Sequence, residues 1–89
     1  MFRQDMAPDA GMLFLYPGDR EITMWMENTI LPLDMIFFAA DGTIIRIAER
    51  TVPFSTTVIY SEGPARGVVE VNGGTAQRLG IRVGDKVEY

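Results

Sequence analysis

The chain is punctuated so often by Gly and Pro that it is expected to fold into short elements. Pro17-Gly18-Asp19, Asp41-Gly42, Glu62-Gly63-Pro64, Gly73-Gly74, Gly80 and Gly84-Asp85 divide its 89 residues into short pieces. Such dipeptides mark turns. Most of the intervals read as strands. Met12 to Tyr16 is a short apolar run. Ile22 to Met26 alternates, with Ile22, Met24 and Met26 on one side and Thr23 and Trp25 on the other. Leu33 to Ala39 and Thr43 to Arg50 flank Ala40-Asp41-Gly42, a strong hairpin signal because Gly supplies the positive φ that tight loops need. Val68 to Val71 is β-branched around Glu70, and Lys86 to Tyr89 reads as a terminal strand.

One helix is expected. Thr75-Ala76-Gln77-Arg78-Leu79 is built of good helix formers, and Gly80 stands where a helix C′ residue belongs. Asn72 or Thr75 is positioned to cap its start. A helix this short depends on tertiary packing, through Ala76 and Leu79. The pattern predicts a single mainly-β domain over residues 1–89, a small barrel or sandwich of short strands with one short helix near residues 73–79.

Composition excludes several chemistries. The chain has no Cys and no His, so thiolate nucleophiles, Ser-His-Asp triads and His- or Cys-based metal sites are ruled out within it. No cofactor or metal is expected. Net charge is −4, and the eight basic residues are scattered from Arg3 to Lys86 without forming a stripe, which disfavours nucleic acid as a partner. No apolar run approaches the ~20 residues of a membrane span, so no membrane insertion by this chain is expected.

The unusual residues cluster in Met24-Trp25-Met26-Glu27-Asn28-Thr29-Ile30-Leu31-Pro32-Leu33-Asp34. Asp34 interrupts an apolar run that continues through Phe38. A buried carboxylate must be paired or hydrogen-bonded. Its structural reading is a strand-end residue accepting backbone N–H bonds; its functional reading is a general base or ligand anchor. Alternation puts Asp34 with Ile36 and Phe38. A three-residue Ala40-Asp41-Gly42 loop would set Arg46 opposite Ile36 and diagonal to Asp34, with Phe37 opposite Ile45 and Met35 opposite Ile47. A two-residue Asp41-Gly42 loop would bring Glu49 opposite Asp34 instead; the first register gives the cleaner core and is preferred. Trp25 is either a packed aromatic or a ring for a ligand to stack on. Asn28-Thr29 is either turn chemistry or a recognition pair at the mouth of a pocket. Six Met, with Met24-Trp25-Met26 the closest pair, are better explained as adaptable core than as copper ligands.

Gly11-Met12-Leu13-Phe14, Trp25-Met26-Glu27-Asn28-Thr29, Pro32-Leu33-Asp34, Tyr60, Pro64-Ala65 and Leu79-Gly80-Ile81-Arg82-Val83-Gly84-Asp85-Lys86-Val87 together resemble the family called domain of unknown function 192. The resemblance runs through nearly the whole chain. It implies a small, mostly β domain with no established activity, often found behind an export signal or membrane anchor, and hence an extracytoplasmic location. Members usually carry another strand ahead of the Gly11-Met12-Leu13-Phe14 match, so this chain is expected to lack an N-terminal strand and targeting segment of the full domain. Many members have a Cys where Phe54 follows Pro53 here.

The leading expectation is a non-catalytic binding module for a small molecule or protein, with Trp25, Asn28, Thr29, Asp34 and Arg46 as candidate ligand-binding residues. The rivals are a hydrolytic enzyme using Asp34 or Glu70 as base, and an assembly module that forms a homodimer through an open strand edge.

Overall fold

A computed structural model describes residues 11–26 and 32–87. The chain is mainly β, with strands β1 Gly11–Met24, β2 Leu33–Phe38, β3 Ile44–Ala48 and β4 Ile59–Asn72, followed by helix α1 Thr75–Leu79. All pairings are antiparallel and the order is β1-β4-β2-β3. The single sheet coils but does not close into a barrel.

β2 is buried along its full length. Its two parities face two different coverings. Leu33, Met35 and Phe37 join Ile22, Met26, Ala65 and Val68 in the main core, with Phe14, Ile45 and Ile59 packed against it. Asp34, Ile36 and Phe38 point to the opposite face, where α1 and the segment after it lie. A strand covered on both sides needs no polar alternation, which accounts for the apolar run. Phe38 lies over Gly67: a Cβ there would stand 2.6 Å from the ring.

Two expected turns are strand corners instead. Pro17-Gly18-Asp19 lies inside β1 and Glu62-Gly63-Pro64 inside β4. Register shifts between Leu15 and Arg20 and between Glu21 and Thr23 accommodate them: the Pro17-Gly18-Asp19 excursion lies across from Arg66, and the Glu62-Gly63 excursion across from Ile22. Bulges bend a strand and tighten its twist. Pro17 is tolerated because β1 ends the order of described strands, where a missing N–H need not break a ladder on both sides. Glu62 takes φ 63° at the β4 corner. There the ladder is mended by a side chain: the Ile22 N–H donates to Ser61 Oγ at 2.9 Å, and that hydroxyl donates to the Gly63 carbonyl at 2.7 Å. Ser61 is fully buried.

The hairpin contains both registers that its loop allows. Near the turn Ala39 N–H donates to the Thr43 carbonyl at 2.8 Å, as a three-residue loop requires, and Phe38 pairs with Ile44. A shift between Phe37 and Phe38 then sets Phe37 opposite Arg46, Ile36 opposite Ile47 and Met35 opposite Ala48. The expected pairing of Arg46 with Ile36 is corrected by this bulge, which inserts Ile45 as an extra residue and seats it on the core. Gly42 adopts φ 89°, and a Cβ there would collide with the Val87 carbonyl. The chain after α1 therefore lies directly on the turn, through Val87 N–H to Gly42 carbonyl at 2.7 Å and Ile44 N–H to Asp85 carbonyl at 2.8 Å. The expected terminal strand is, within the described residues, a single bridge of Lys86 with Thr43.

Replacing Ser61 with Ala should cost about 1–3 kcal/mol in urea unfolding, because the Ile22 N–H is left buried without its acceptor. An unchanged midpoint would show that the corner does not depend on this hydroxyl.

Candidate functional site

Asp34 is a structural bolt. Its side chain is 0% exposed. Oδ1 accepts the Arg50 N–H at 2.8 Å and the Gly74 N–H at 3.2 Å; Oδ2 accepts the Ala76 N–H at 2.8 Å. The donors come from the end of the β3 connection, the Gly-Gly turn and the first turn of α1. The helix has no side-chain cap of its own: its N-cap is Gly74, in the left-handed region at φ 94°. Neither Asn72 nor Thr75 caps it. A carboxylate from a distant strand satisfies the orphan N–H groups that a local Ser or Asn usually serves. At the other end Gly80 takes φ 70°, and the Ile81 N–H donates to the Ala76 carbonyl at 2.9 Å.

The described candidates among the residues named from the sequence, Trp25, Asp34 and Arg46, do not converge. Arg46, opposite Phe37, lies on the other face of the sheet from Asp34. It pairs with Glu62 at 3.7 Å and donates to the Tyr60 carbonyl, tying β3 to the start of β4. Glu49, which this register brings toward Asp34, is exposed and beyond the end of β3. Trp25 is 50% exposed, beside Thr23, Met24 and Val58 at a shallow hollow, while Met26 is wholly buried and Met24 packs on the core. Trp25 is therefore not a core residue. Asn28 and Thr29 lie outside the described residues. Glu70 is buried across from Met35, on the core face, so it does not share a face with Asp34. Among the described residues no three carboxylates stand together as a metal site would need, and no helix is long and apolar enough to cross a membrane.

A larger cleft than the hollow at Trp25 lies on the α1 side of the sheet, with a volume of about 470 Å³. Ile36, Ile44, Val69 and Val71 form its floor, Thr75 and Leu79 one wall, and Ile81 and Val87 the other. Three charged side chains stand around it: Arg78, Asp85 and Lys86. Lys86 pairs with Asp41 at 3.5 Å, and Asp85 accepts the Arg82 N–H at 2.9 Å. The sequence holds little signal for this cleft. Its floor residues look like ordinary core, and Leu79 to Val87 reads as a helix–turn–strand device.

The family model for domain of unknown function 192, described as Uncharacterized ACR, matches residues 1–89. The chain belongs to this family. Two crystal structures of similar proteins give the same fold. One, from Sinorhizobium meliloti 1021, is described as a candidate transcription regulator; it is 52% identical, with a TM-score of 0.95, over 99% of this chain and 68% of that one. The other, from Novosphingobium aromaticivorans DSM 12444, is a protein of unknown function, 45% identical, with a TM-score of 0.95, over 100% of this chain and 64% of its own. This member of the family thus spans about two thirds of each relative's length. No curated protein matches it.

Two outcomes follow from the geometry. Asp34→Ala should lower stability by at least about 3 kcal/mol, since bonds to a charged acceptor contribute roughly 1.5–3 kcal/mol each and their donors would be stranded. Amide exchange should quicken first at Gly74 and Ala76; a variant that keeps its stability would show the carboxylate to be dispensable. Asp41 is held below its ordinary 3.8 by hydrogen bonds from Thr43 and by the Lys86 charge. A lowered folded value stabilises above the unfolded value and is lost as pH falls through the folded one. Asp41→Asn should therefore melt below the parent at pH 6 and match it at pH 2; a constant difference would contradict this.

Proposed function

We propose that this domain is a non-catalytic ligand-binding module whose site is the cleft between α1 and the sheet. The observation that carries the reading is the cleft itself: an apolar floor with a few polar side chains at its mouth, in the size range of small-molecule sites. Both carboxylates that a hydrolytic reading would use point away from that role. Asp34 is enclosed by three backbone donors, and Glu70 is buried on the opposite face. A general base must reach a substrate proton, and neither group faces an open site. The extracytoplasmic setting implied by the family resemblance is part of this proposal; a chain without Cys is indifferent to redox compartment. The description of the Sinorhizobium protein as a candidate regulator does not add nucleic acid here, because a chain of net charge −4 with scattered basic residues offers no phosphate-tracking surface.

Thermal melting against sugars, peptides, nucleotides and organic acids tests the reading. A ligand at 100 times its Kd should raise stability by about 2.7 kcal/mol. Leu79, 60% exposed on the cleft wall, provides the control: Leu79→Glu should remove the shift without unfolding the domain. A shift that survives Leu79→Glu and maps by amide resonances to Thr23, Trp25 and Val58 would move the site to the shallow hollow.

A further inference from the structure

We infer that the cleft takes a small amphipathic carboxylate, an anionic head on an apolar chain, with Arg78 holding the head. This rests on the reading of the cleft as the binding site and names the class of its ligand. The floor excludes strongly polar ligands. Ile36 and Ile44 are buried, and Val69, Val71 and Ile81 are half-buried, so the floor's side chains offer no hydrogen-bond partner. A sugar or nucleobase laid on them would lose its bonds to water without replacement. The apolar surface also continues outward. Leu13 pairs across from Val69 on the same face and is 47% exposed, and Leu15, next along that parity of β1, is 54% exposed. This is length for a chain rather than a pocket for a compact polar group.

The charges then choose the head. Of the three charged side chains at the cleft, Lys86 is engaged by Asp41 and Asp85 by the Arg82 amide. The Arg78 guanidinium has neither an ion pair nor a hydrogen-bond partner among the described residues. The Arg78 guanidinium is thus the cation at the cleft with its donors unengaged, beside an apolar floor in a protein of net charge −4, while Asp85 keeps its negative charge at the same mouth. A guanidinium fork matches a carboxylate in a way that a point charge does not. Arg78 also sits in the last turn of α1, where a cation complements the helix dipole. That role would explain a basic residue there, but it assigns nothing to the apolar floor beside it.

The test uses the whole chain and three probes below their micelle concentrations: decanoate, decanol and decyltrimethylammonium. Decanoate should move the amide resonances of Val69, Val71, Leu79 and Ile81 to saturation and bind roughly tenfold more tightly than decanol, the size of one charged hydrogen-bonded contact. Decyltrimethylammonium should bind more weakly than either. Arg78→Gln, at an exposed position, should keep the melting temperature and bring decanoate to the affinity of decanol. If decanol binds as well as decanoate, or Arg78→Gln changes nothing while the same amides still shift, the carboxylate assignment falls and the cleft remains a binding site. If none of the three probes moves the cleft amides, the reading of the cleft falls with it.

Discussion

The fold is organised around a buried negative charge. The Asp34 carboxylate has no access to water, and an ion in that position is tolerated only with full hydrogen bonding. It gathers three amides from two segments distant in sequence: Arg50 after β3, and Gly74 and Ala76 at the start of α1. Two of these adopt left-handed backbone conformations, Arg50 at φ 49° and Gly74 at φ 94°. For Arg50, with a side chain, that conformation is costly, and it persists because the surrounding contacts over-determine it. The Arg50 guanidinium adds a contact with Gln77 of α1.

The cleft is a consequence of that bolt. A helix of five residues has no stability alone. Here it is held at its start by Asp34 and at its end by the Gly80 turn, and so lies across the sheet at a set place. The following segment is fastened separately to the hairpin, through Gly42 and Ile44. Two independent attachments leave Leu79 and Arg78 standing over Ile36, Val69 and Val71 without closing onto them. The side of the sheet that needs the helix is thereby also the side that stays accessible.

The other face is closed by curvature. Successive corners in β1 and β4 bend the two long strands over the core, and Ser61 supplies the bond the ladder loses at the β4 corner. Arg46 draws β3 toward the start of β4. Exposed ion pairs of this kind are individually weak, so the curl owes more to burial of Phe37, Ile22 and Ala65 than to the Arg46–Glu62 contact.

Much of this was legible residue by residue. The mainly-β character, the Asp41-Gly42 hairpin, the helix ending at Gly80 and the demand of Asp34 for backbone donors all follow from local chemistry: positive φ at Gly, β-branched alternation, and the cost of a bare buried charge. What the tertiary structure decided are matters of face and partner. Pro17-Gly18-Asp19 and Glu62-Gly63-Pro64 carry the composition of turns, and each became a bulge because the partner strand pairs with the residues on both sides of it. The Ile45 bulge moved Arg46 to the face opposite Asp34, since a slip of one residue inverts every side chain beyond it. The cleft has no local signature at all, because Ile36, Val69 and Arg78 lie far apart in the chain and meet only when Asp34 draws the helix onto the sheet.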